Sequence, residues 1–559
     1  MKKLDSFILT HKNKLGFSVA LNILVFVFYM LIFYPVYETN DDGGLLALVS
    51  GIKGVHDPHM VYINTVLGHF FAFLYGLNQS VPWYALMQYI LLFCSFTAIT
   101  YVLLNRLEPA ASVWLVMSFL LFFAYEGYIK IQYTKSAGII TAGGLTLLFY
   151  VFFQQKRRIV PYILGFILAL TGSMYRISQF LCELGLFTGV GIYFLVCLKT
   201  IAPDKERKQL LKCIGSFLIL LLVAAGFWAV DKSAYQTEEW DYYLDYNSAR
   251  VELLDYGFPN YSENKDAYLE LGLDASAYKL FKGWTHSDSE KITVDVMQGL
   301  IGLKTPKAFD VSLMKGFLKS MVKGLFKKPV FWCFLLVLGF WMICGKHSAG
   351  TFCTLIYEGA FIGGLYLFLY YRGRYLLNRV DVGIWLAAVI VVFWMFDRIK
   401  PIFGGAAGIF LLSFVLLLTQ YKWHDNWRIS KEADAVKSKL AMWEVIETID
   451  ADDSHLYLTK NGTISFFKAY GIFDSVPFGI GDNLYSLGGW TAQTPTYMGV
   501  LERYHVTNPF RDMIGNDSVY LVDNNIDLTM EYIHTWYDAD AVAVQVDTIG
   551  KFKIYQIKK

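Results

Sequence analysis

Long apolar runs recur along most of this chain, and they limit its fold more than any other feature of the sequence. A run of about 20 apolar residues has the length that an α-helix needs to cross a bilayer. Inside a bilayer the backbone must satisfy its own hydrogen bonds, so each run is expected to be helical. The runs are residues 15–36, 83–104, 112–128, 137–153, 160–175, 180–198, 211–230, 329–344, 351–371, 382–396 and 402–421. The sequence therefore predicts an α-helical polytopic membrane protein with about 11 transmembrane helices.

The charge content agrees with this fold class. Charged residues make up 17% of the 559 residues, whereas soluble proteins contain about 25%. The formal net charge is only +2, so the overall charge gives no reason to expect nucleic acid as a partner.

The basic residues predict how the chain is oriented in the membrane. Lysines cluster before the first apolar run, which predicts a cytoplasmic N-terminus. Segment 59–77 is ambiguous, because its pattern fits either a twelfth span or a helix lying on the outer membrane surface. We favour the surface helix, since it keeps four basic loops on the cytoplasmic side. Segment 314–329 then lies outside, where lysines at every fourth position predict an amphipathic helix on the outer leaflet.

This topology brings the large polar segments to one side of the membrane. Residues 1–421 form the predicted transmembrane domain, with outer loops at 37–82, 231–328 and 372–381. Residues 422–559 form a predicted small extracytoplasmic α/β domain. Its helices are predicted at 432–449 and 526–537, and its strands at 455–460, 518–523, 541–546 and 551–557. No glycine-rich phosphate loop of a known pattern occurs in it.

An acidic cluster directly follows the first apolar run. Glu38, Asp41 and Asp42 lie within five residues, and Gly43-Gly44 after them permits a tight backbone turn. A carboxylate at the edge of the hydrocarbon is suited to accept a proton in catalysis. Alternatively, adjacent acids share a divalent cation such as Mg²⁺ or Mn²⁺, with Asp41 and Asp42 as its ligands, or they form an ordinary solvated helix end.

Arginines occur at the predicted outer ends of two other helices, on the same side as the acids. These arginines are Arg176, Arg372, Arg374 and Arg379. Guanidinium groups bind phosphate with paired hydrogen bonds, so the cluster predicts a phosphate site at the depth of the lipid headgroups. The alternative is that these side chains anchor the helices at the membrane edge.

The second outer loop combines aromatic and acidic residues. Trp284 and Asp288 lie in "KGWTHSDSEK", downstream of the tyrosine-rich stretch 238–261. Aromatic rings stack on sugar C–H faces and carboxylates accept hydrogen bonds from sugar hydroxyls, so the two residues are candidates for sugar binding. A folded loop with its own small core is the alternative interpretation.

Several of these features resemble the GT-C superfamily of membrane glycosyltransferases. The resemblance rests on "ETNDD" after the first helix, on the loop "YNSARVELLDYGFP" with its following "GW", and on "RGRYLLNRV". It covers most of the chain as an arrangement of about 11 spans, a large outer loop and an external C-terminal domain. It implies transfer of a sugar from a polyprenyl-phosphate donor to a glycan, polymer or lipid acceptor of the cell envelope. The location implied is the outer face of a bacterial cytoplasmic membrane, with membrane lipids as further partners and no certain cofactor.

The resemblance also implies roles for individual residues. Asp41 matches the acid of the first loop and would be the general base, with Asp42 orienting the acceptor and Glu38 assisting. The four outer arginines would hold the lipid phosphate and stabilise its charge as it leaves.

Three other functions remain open at this point. A polysaccharide polymerase or ligase would also use large outer loops and arginines. A transporter or flippase for lipid-linked glycans would place charges within helices, and Glu183, Glu358 and Asp381 are the few candidates for that. A receptor or scaffold would bind its ligand through the external domain.

Overall fold

The chain is mostly helical in the computed structural model. The structure describes residues 2–107, 111–153, 159–198, 203–305, 307–345, 347–374, 377–396, 413 and 428–559.

The described residues of the first half of the chain form ten helices and one short pair of strands. In chain order these are α1 (Lys2–His11), α2 (Leu15–Ile32), β1 (Val36–Tyr37), α3 (Asn40–Val49), α4 (Thr65–Leu77), α5 (Trp83–Arg106), α6 (Ala111–Tyr128), β2 (Lys130–Ile131), α7 (Tyr133–Phe153), α8 (Ile159–Tyr175), α9 (Ile177–Leu198) and α10 (Pro203–Ala234). Strands β1 and β2 pair in parallel, which ties the start of the first loop to the entrance of α7.

Helices also fill the second predicted outer loop and the segment after it. They are α11 (Glu238–Leu254), α12 (Lys265–Glu270), α13 (Ala275–Lys282), α14 (Val294–Gly302), α15 (Val311–Leu325), α16 (Pro329–Cys344), α17 (Ala349–Tyr371) and α18 (Asn378–Trp394). Most begin at a side chain that caps the free backbone N–H groups of the first turn. Thr237, Asp274, Thr293 and Asp310 do this for α11, α13, α14 and α15.

The protein is a polytopic helical protein, with fewer candidate spans among the described residues than the sequence predicted. Six helices are long and apolar enough to cross a membrane, namely α2, α5, α7, α9, α17 and the Leu211–Ala234 part of α10. A seventh is added if α15 and α16, which meet at 84°, count as one broken span. The other predicted runs form shorter helices, and a helix of 17 residues extends only about 26 Å. The run predicted at 402–421 lies outside the described residues except for Ser413.

A helix forms in each of the two segments that were predicted to lie on the membrane surface. Segment 59–77 contains α4, which begins where the Asn64 side chain accepts a hydrogen bond from the Val66 backbone N–H at 3.0 Å. With 13 residues α4 is too short to span a bilayer. Segment 314–329 lies largely within α15.

The C-terminal region forms a mixed five-stranded sheet with helices. Its elements are α19 (Arg428–Asp450), β3 (Leu456–Thr459), α20 (Phe466–Ala469), β4 (Leu484–Ser486), α21 (Pro495–Arg503), α22 (Pro509–Asp512), β5 (Val519–Val522), α23 (Asp527–Trp536), β6 (Val542–Ile549) and β7 (Phe552–Lys558). The strand order is β4-β3-β5-β7-β6, with β3 parallel to both neighbours and the β6–β7 hairpin antiparallel. The predicted strands and both predicted helices are confirmed, whereas β4 was missed because it is only three residues long.

This sheet region packs directly on the two large loops. The backbone N–H of Gly479 donates to the Gly51 carbonyl at 2.8 Å, and that of Gly481 donates to the Ile52 carbonyl at 3.0 Å. From the second loop, the His286 N–H donates to the Leu487 carbonyl at 2.8 Å. The two loops and the C-terminal region therefore lie together on one side of the helical bundle.

Candidate functional site

A cavity of about 490 Å³ lies where the ends of several bundle helices meet the loops and the C-terminal region. Its polar lining includes Asn40, Asp41, Arg176, Arg250, Asp255, Arg374, Arg379 and Asn461, and its aromatic lining includes Tyr62, Tyr133, Tyr256, Trp284 and Trp490. Five residues singled out from the sequence, which are far apart along the chain, thus line one cavity. They are Asp41, Arg176, Trp284, Arg374 and Arg379.

Helix α3 presents Asp41 to this cavity. The tight turn that Gly43-Gly44 would permit does not form, because α3 runs without interruption through both glycines. The absence of a side chain at Gly44 matters for packing instead, since a Cβ there would lie 2.5 Å from the Trp490 ring. The glycine therefore lets α3 approach the C-terminal region closely enough for Trp490 to form one wall of the cavity.

Two of the cavity arginines are paired with carboxylates. The Arg379 Nη1 atom lies 2.8 Å from Asp41 Oδ2, and the Arg374 Nη1 atom lies 2.6 Å from Asp255 Oδ2. All four side chains are partly exposed. The two ion pairs thus hold Asp41 and Asp255 in fixed positions while remaining accessible from the cavity.

The other two arginines have no carboxylate within 4 Å among the described residues. Arg176 lies against aromatic rings, with its guanidinium carbon 5.5 Å from the centroid of Tyr62 and 5.8 Å from that of Tyr133. Arg250 is only 2% exposed. It donates to Asn247 Oδ1 at 2.7 and 3.1 Å and stacks on Trp284 at 5.3 Å, whereas its Nη1 atom has no hydrogen-bond partner in the described part of the chain.

The charges of the lining favour an anionic ligand. Four guanidinium groups face two carboxylates, which leaves an excess of two positive charges. Burial of an unpaired guanidinium such as that of Arg250 is costly unless a ligand supplies the missing partner. A phosphate monoester, which carries between one and two negative charges near neutral pH, matches this excess.

Aromatic side chains enclose the charged groups. Tyr62 and Tyr133 are nearly parallel, at an interplanar angle of 10°, and Trp490 lies 4.9 Å from Tyr62. Trp284 adopts φ +65° and Val61, next to Tyr62, adopts φ +59°. A positive φ is unfavourable for such bulky residues, so the surrounding packing holds this wall in a strained conformation.

Asp42 does not line the cavity, although it is adjacent to Asp41. Consecutive residues of an α-helix point about 100° apart, and Asp42 faces the core with no exposed surface. Its carboxylate accepts hydrogen bonds from the Tyr84 hydroxyl at 2.8 Å and from the Tyr133 backbone N–H at 3.1 Å. Burial raises the pKa of Asp42 to about 8, against the lowering effect of these hydrogen bonds. Asp42 is therefore mostly protonated at neutral pH and supports the entrance of α7.

Glu38 is likewise held outside the cavity. It forms an ion pair with the buried Lys135 at 2.8 Å, and Lys135 also contacts Glu126 at 2.8 Å. The Asn378 amide donates to Glu38 at 2.8 Å. This network joins the first loop to α6, α7 and α18, next to Arg379.

Two of the predicted substrate-binding residues also lie outside the cavity. Arg372 pairs with Glu252 at 3.1 Å and lies over the Tyr256 ring, with 44% of its side chain exposed. Asp288 is fully buried, and its carboxylate accepts hydrogen bonds from Tyr532 and Tyr537 of the C-terminal region at 2.6 Å each. Asp288 thus fastens the second loop to that region instead of facing a ligand.

The described residues contain no group of three or more His, Cys, Asp or Glu side chains arranged to hold a metal ion. The Asp41 and Asp42 carboxylates point to different surroundings, one to Arg379 and the other to Tyr84. The two aspartates therefore do not converge on a shared position.

The sequence interpretation missed Arg250, Asp255 and, apart from Trp284, the aromatic residues that line the cavity. Arg250 lies in "YNSARVELLDY", and nothing in the neighbouring residues signals that its side chain is buried. Arg250 and Asp255 are five residues apart at the end of α11, so one helix end supplies both.

Comparison with family models, with curated proteins and with solved structures finds no match to this chain.

Proposed function

We propose that this protein is a membrane glycosyltransferase of the GT-C type, which transfers a sugar from a polyprenyl-phosphate donor to a cell-envelope glycan, polymer or lipid. The observation that supports this most is one cavity at the helix ends that combines an accessible carboxylate, Asp41, with an excess of guanidinium groups. Glycosyl transfer from a phosphate needs both a base for the acceptor and charge stabilisation for the leaving group.

The leaving phosphate would be bound by the arginines. Arg250 and Arg176 have no carboxylate partner among the described residues, so a bound anion would supply the charge partner that both guanidinium groups lack. Arg374 and Arg379 would add contacts while remaining paired with their aspartates. Negative charge that develops on the phosphate oxygens as the bond to the sugar breaks would be stabilised by these preoriented donors.

A neighbouring cavity supports a lipid-linked donor. This second cavity of about 270 Å³ shares Tyr62 and Arg176 with the first and continues to Phe227 and Trp228 of α10. Trp228 is 49% exposed, and α10 contributes one of the least buried candidate spans. A prenyl chain lying along α10 would bring its phosphate to Arg176 without leaving the bilayer.

Asp41 would act as the base. In the proposed step, an acceptor hydroxyl gives its proton to the Asp41 carboxylate while its oxygen forms a bond to the anomeric carbon of the donor sugar. The bond between that carbon and the phosphate oxygen breaks, and the polyprenyl phosphate leaves with both electrons. Arg379, 2.8 Å from Asp41, would hold the carboxylate in position for this transfer.

The proposed location is a bacterial cytoplasmic membrane, with the N-terminus cytoplasmic and the C-terminal region outside. The contacts between that region and both large loops support a single shared side. We also propose that the shorter helices α6, α8, α16 and α18 cross the membrane, which with the six longer helices gives ten of the about eleven spans of a GT-C arrangement. The eleventh predicted run, residues 402–421, lies outside the described residues except for Ser413.

The test uses the purified protein reconstituted into lipid vesicles. It measures the rate at which a radiolabelled sugar is transferred from a polyprenyl-phosphate donor to cell-envelope acceptors. Asp41→Asn should lower transfer at least about 100-fold, the usual contribution of a general base, and should leave donor binding within a few-fold of wild type. Asp42→Asn is the matched control, because an amide resembles the protonated acid; it should retain most of the activity. Wild-type transfer by Asp41→Asn would refute the assignment of the base.

A second candidate function, a transporter or flippase for lipid-linked glycans, is favoured by a different observation. Glu183 of α9 and Glu358 of α17 are buried, and three of their four carboxylate oxygens have no hydrogen-bond partner among the described residues. Buried acids within membrane helices are typical of proton-coupled transport. An assay in proteoliposomes distinguishes the two functions. A transporter moves the lipid-linked glycan between leaflets, and Glu358→Gln should abolish this movement. In a glycosyltransferase, Glu358→Gln should leave the rate of sugar transfer unchanged.

A further inference from the structure

A separate crevice of about 240 Å³ lies beside the arginine cavity, between α3 and the C-terminal sheet. It opens at the carboxyl ends of β3 and β4, where Thr459 and Ser486 are paired across the parallel strands. Ligands of α/β folds bind at this edge of the sheet, because the strands end there and loops of different length leave a gap.

The lining of the crevice is chemically unlike that of the arginine cavity. Its polar members are the side chains of Asn40, Thr459, Asn461, Ser465, Ser486 and Thr491, and its aromatic members are Phe466 and Tyr497. Among the described lining residues, Lys53 is the one charged residue, and it is buried. Hydroxyl and amide groups beside aromatic rings recognise neutral polyhydroxylated ligands, whereas an ionic ligand would require opposite charges.

Three of these polar side chains have no hydrogen-bond partner among the described residues. They are the side chains of Asn40, Asn461 and Ser465. Lys53, in contrast, is engaged: its ammonium donates to the Gly481 carbonyl at 2.8 Å and to the Leu484 carbonyl, and it lies 4.8 Å from the Tyr497 ring centroid. Lys53 therefore stabilises the wall of the crevice, and the side chains of Asn40, Asn461 and Ser465 are available to bind a ligand.

The crevice shares part of its wall with the arginine cavity. Asn40 and Asn461 line both spaces, and Asn40 is adjacent to Asp41 in the first turn of α3. A ligand that extends from the crevice past Asn40 and Asn461 would enter the cavity that Asp41 lines.

We propose that this crevice binds the terminal sugar of the acceptor, as a neutral saccharide held by Asn40, Asn461 and Ser465 and stacked on Phe466 or Tyr497. This inference rests on the proposed glycosyltransferase function and assigns the acceptor to a carbohydrate. The size of the crevice, smaller than the roughly 300–1,000 Å³ of sites for larger ligands, fits one sugar residue better than a long glycan segment.

The experiment is saturation-transfer NMR on the full-length protein in detergent, with methyl glycosides of glucose, galactose, mannose and N-acetylglucosamine as probes. Ser465→Phe fills the crevice with a phenyl ring without touching the arginine cavity. Ser518→Phe places the same ring on an exposed position before β5 and serves as the matched control. Ser465→Ala removes only one hydroxyl and should weaken binding about 2- to 10-fold, the effect of one hydrogen bond. Arg250→Met removes a donor-site arginine and should leave glycoside binding unchanged.

We expect a saturation-transfer signal from at least one methyl glycoside with the wild-type protein, with Ser518→Phe and with Arg250→Met. In Ser465→Phe this signal should be at least fivefold weaker. No glycoside signal with wild type, an undiminished signal with Ser465→Phe, or loss of the signal in Arg250→Met would overturn the assignment of the crevice. Binding of geranylgeranyl phosphate, measured on the same samples, tests the donor site separately. Its absence would contradict the proposed function even where the glycosides still bind.

Discussion

Replacing Arg250 by methionine should weaken phosphate binding strongly without destabilising the empty protein. The guanidinium is buried, its Nη1 atom has no partner in the described part of the chain, and its other contacts are to Asn247 and the Trp284 ring. Methionine has a similar length and no charge. The substitution therefore separates what Arg250 contributes to a ligand from what it contributes to the fold.

The magnitude follows from the hydrogen bonds that a phosphate would receive. Each hydrogen bond between charged groups contributes about 1.5–3 kcal/mol, so the loss of two from Arg250 costs at least about 3 kcal/mol. That corresponds to an increase in Kd of roughly 150-fold. In the empty protein the substitution removes a buried donor without a partner, whose desolvation costs about 1–3 kcal/mol, and it also removes the hydrogen bonds to Asn247, which contribute a similar amount. Because these two effects oppose each other, the unfolding temperature should stay close to that of wild type.

The assay is binding of geranylgeranyl phosphate to the purified protein in detergent, together with thermal unfolding of the same samples. Arg372→Met is the matched control, because Arg372 lies outside the cavity and is largely exposed; its Kd should change less than about threefold. Wild-type affinity in Arg250→Met would refute the reasoning. So would a lower unfolding temperature with unchanged affinity, which would make Arg250 a structural residue.

Two further predictions concern Asp42 and the topology. The pKa of Asp42 in the native state, about 8, lies above its ordinary value of 3.8. Between these two pH values the native state therefore binds a proton that the unfolded state releases. The free energy of unfolding should then fall as pH rises from about 4 to about 8. Asp42→Asn should flatten this decline in unfolding temperatures measured across that pH range, and an unchanged slope would contradict the buried, protonated state. A cysteine replacing the exposed Lys551 should react with a membrane-impermeant maleimide in intact cells, whereas labelling only after lysis would reverse the proposed orientation.

The elements that could be predicted from the sequence are those whose pattern is local. The long apolar runs and the β6–β7 hairpin each carry their period and turn residues within one segment. The number of helices long enough to span was overestimated, because apolar runs of only 15–17 residues were counted as spans. Helix α8, for example, closely matches its predicted run, 160–175, but has only 17 residues.

The site was predictable only in part for a related reason. Arg374, Arg379 and Asp41 were found because they stand at the ends of apolar runs, where a charged residue is conspicuous. Arg250 lies among polar residues of α11, so its burial depends on packing that no local pattern records. Asp42 looked equivalent to Asp41, and only the direction of α3 against its neighbours separates a residue that faces the cavity from one that faces the core.

Further differences arose where distant segments meet. Asp288 was expected to bind sugar but receives hydrogen bonds from Tyr532 and Tyr537, which lie more than 240 residues later in the chain. Trp490 comes from a glycine-rich loop whose position depends on Gly44. Such pairings are set by tertiary packing, and a single sequence contains no signal of which partners will meet.

The central claim is that the arginine cavity holds the phosphate of a polyprenyl-linked donor. It is tested most directly by an electron cryo-microscopy structure of the full-length protein with bound geranylgeranyl phosphate. The proposal predicts phosphate density within hydrogen-bond distance of Arg250 and at least one of Arg176, Arg374 and Arg379, with the prenyl chain extending towards Trp228. Phosphate density elsewhere, for example beside the lysines of α15, together with an empty arginine cavity, would contradict it.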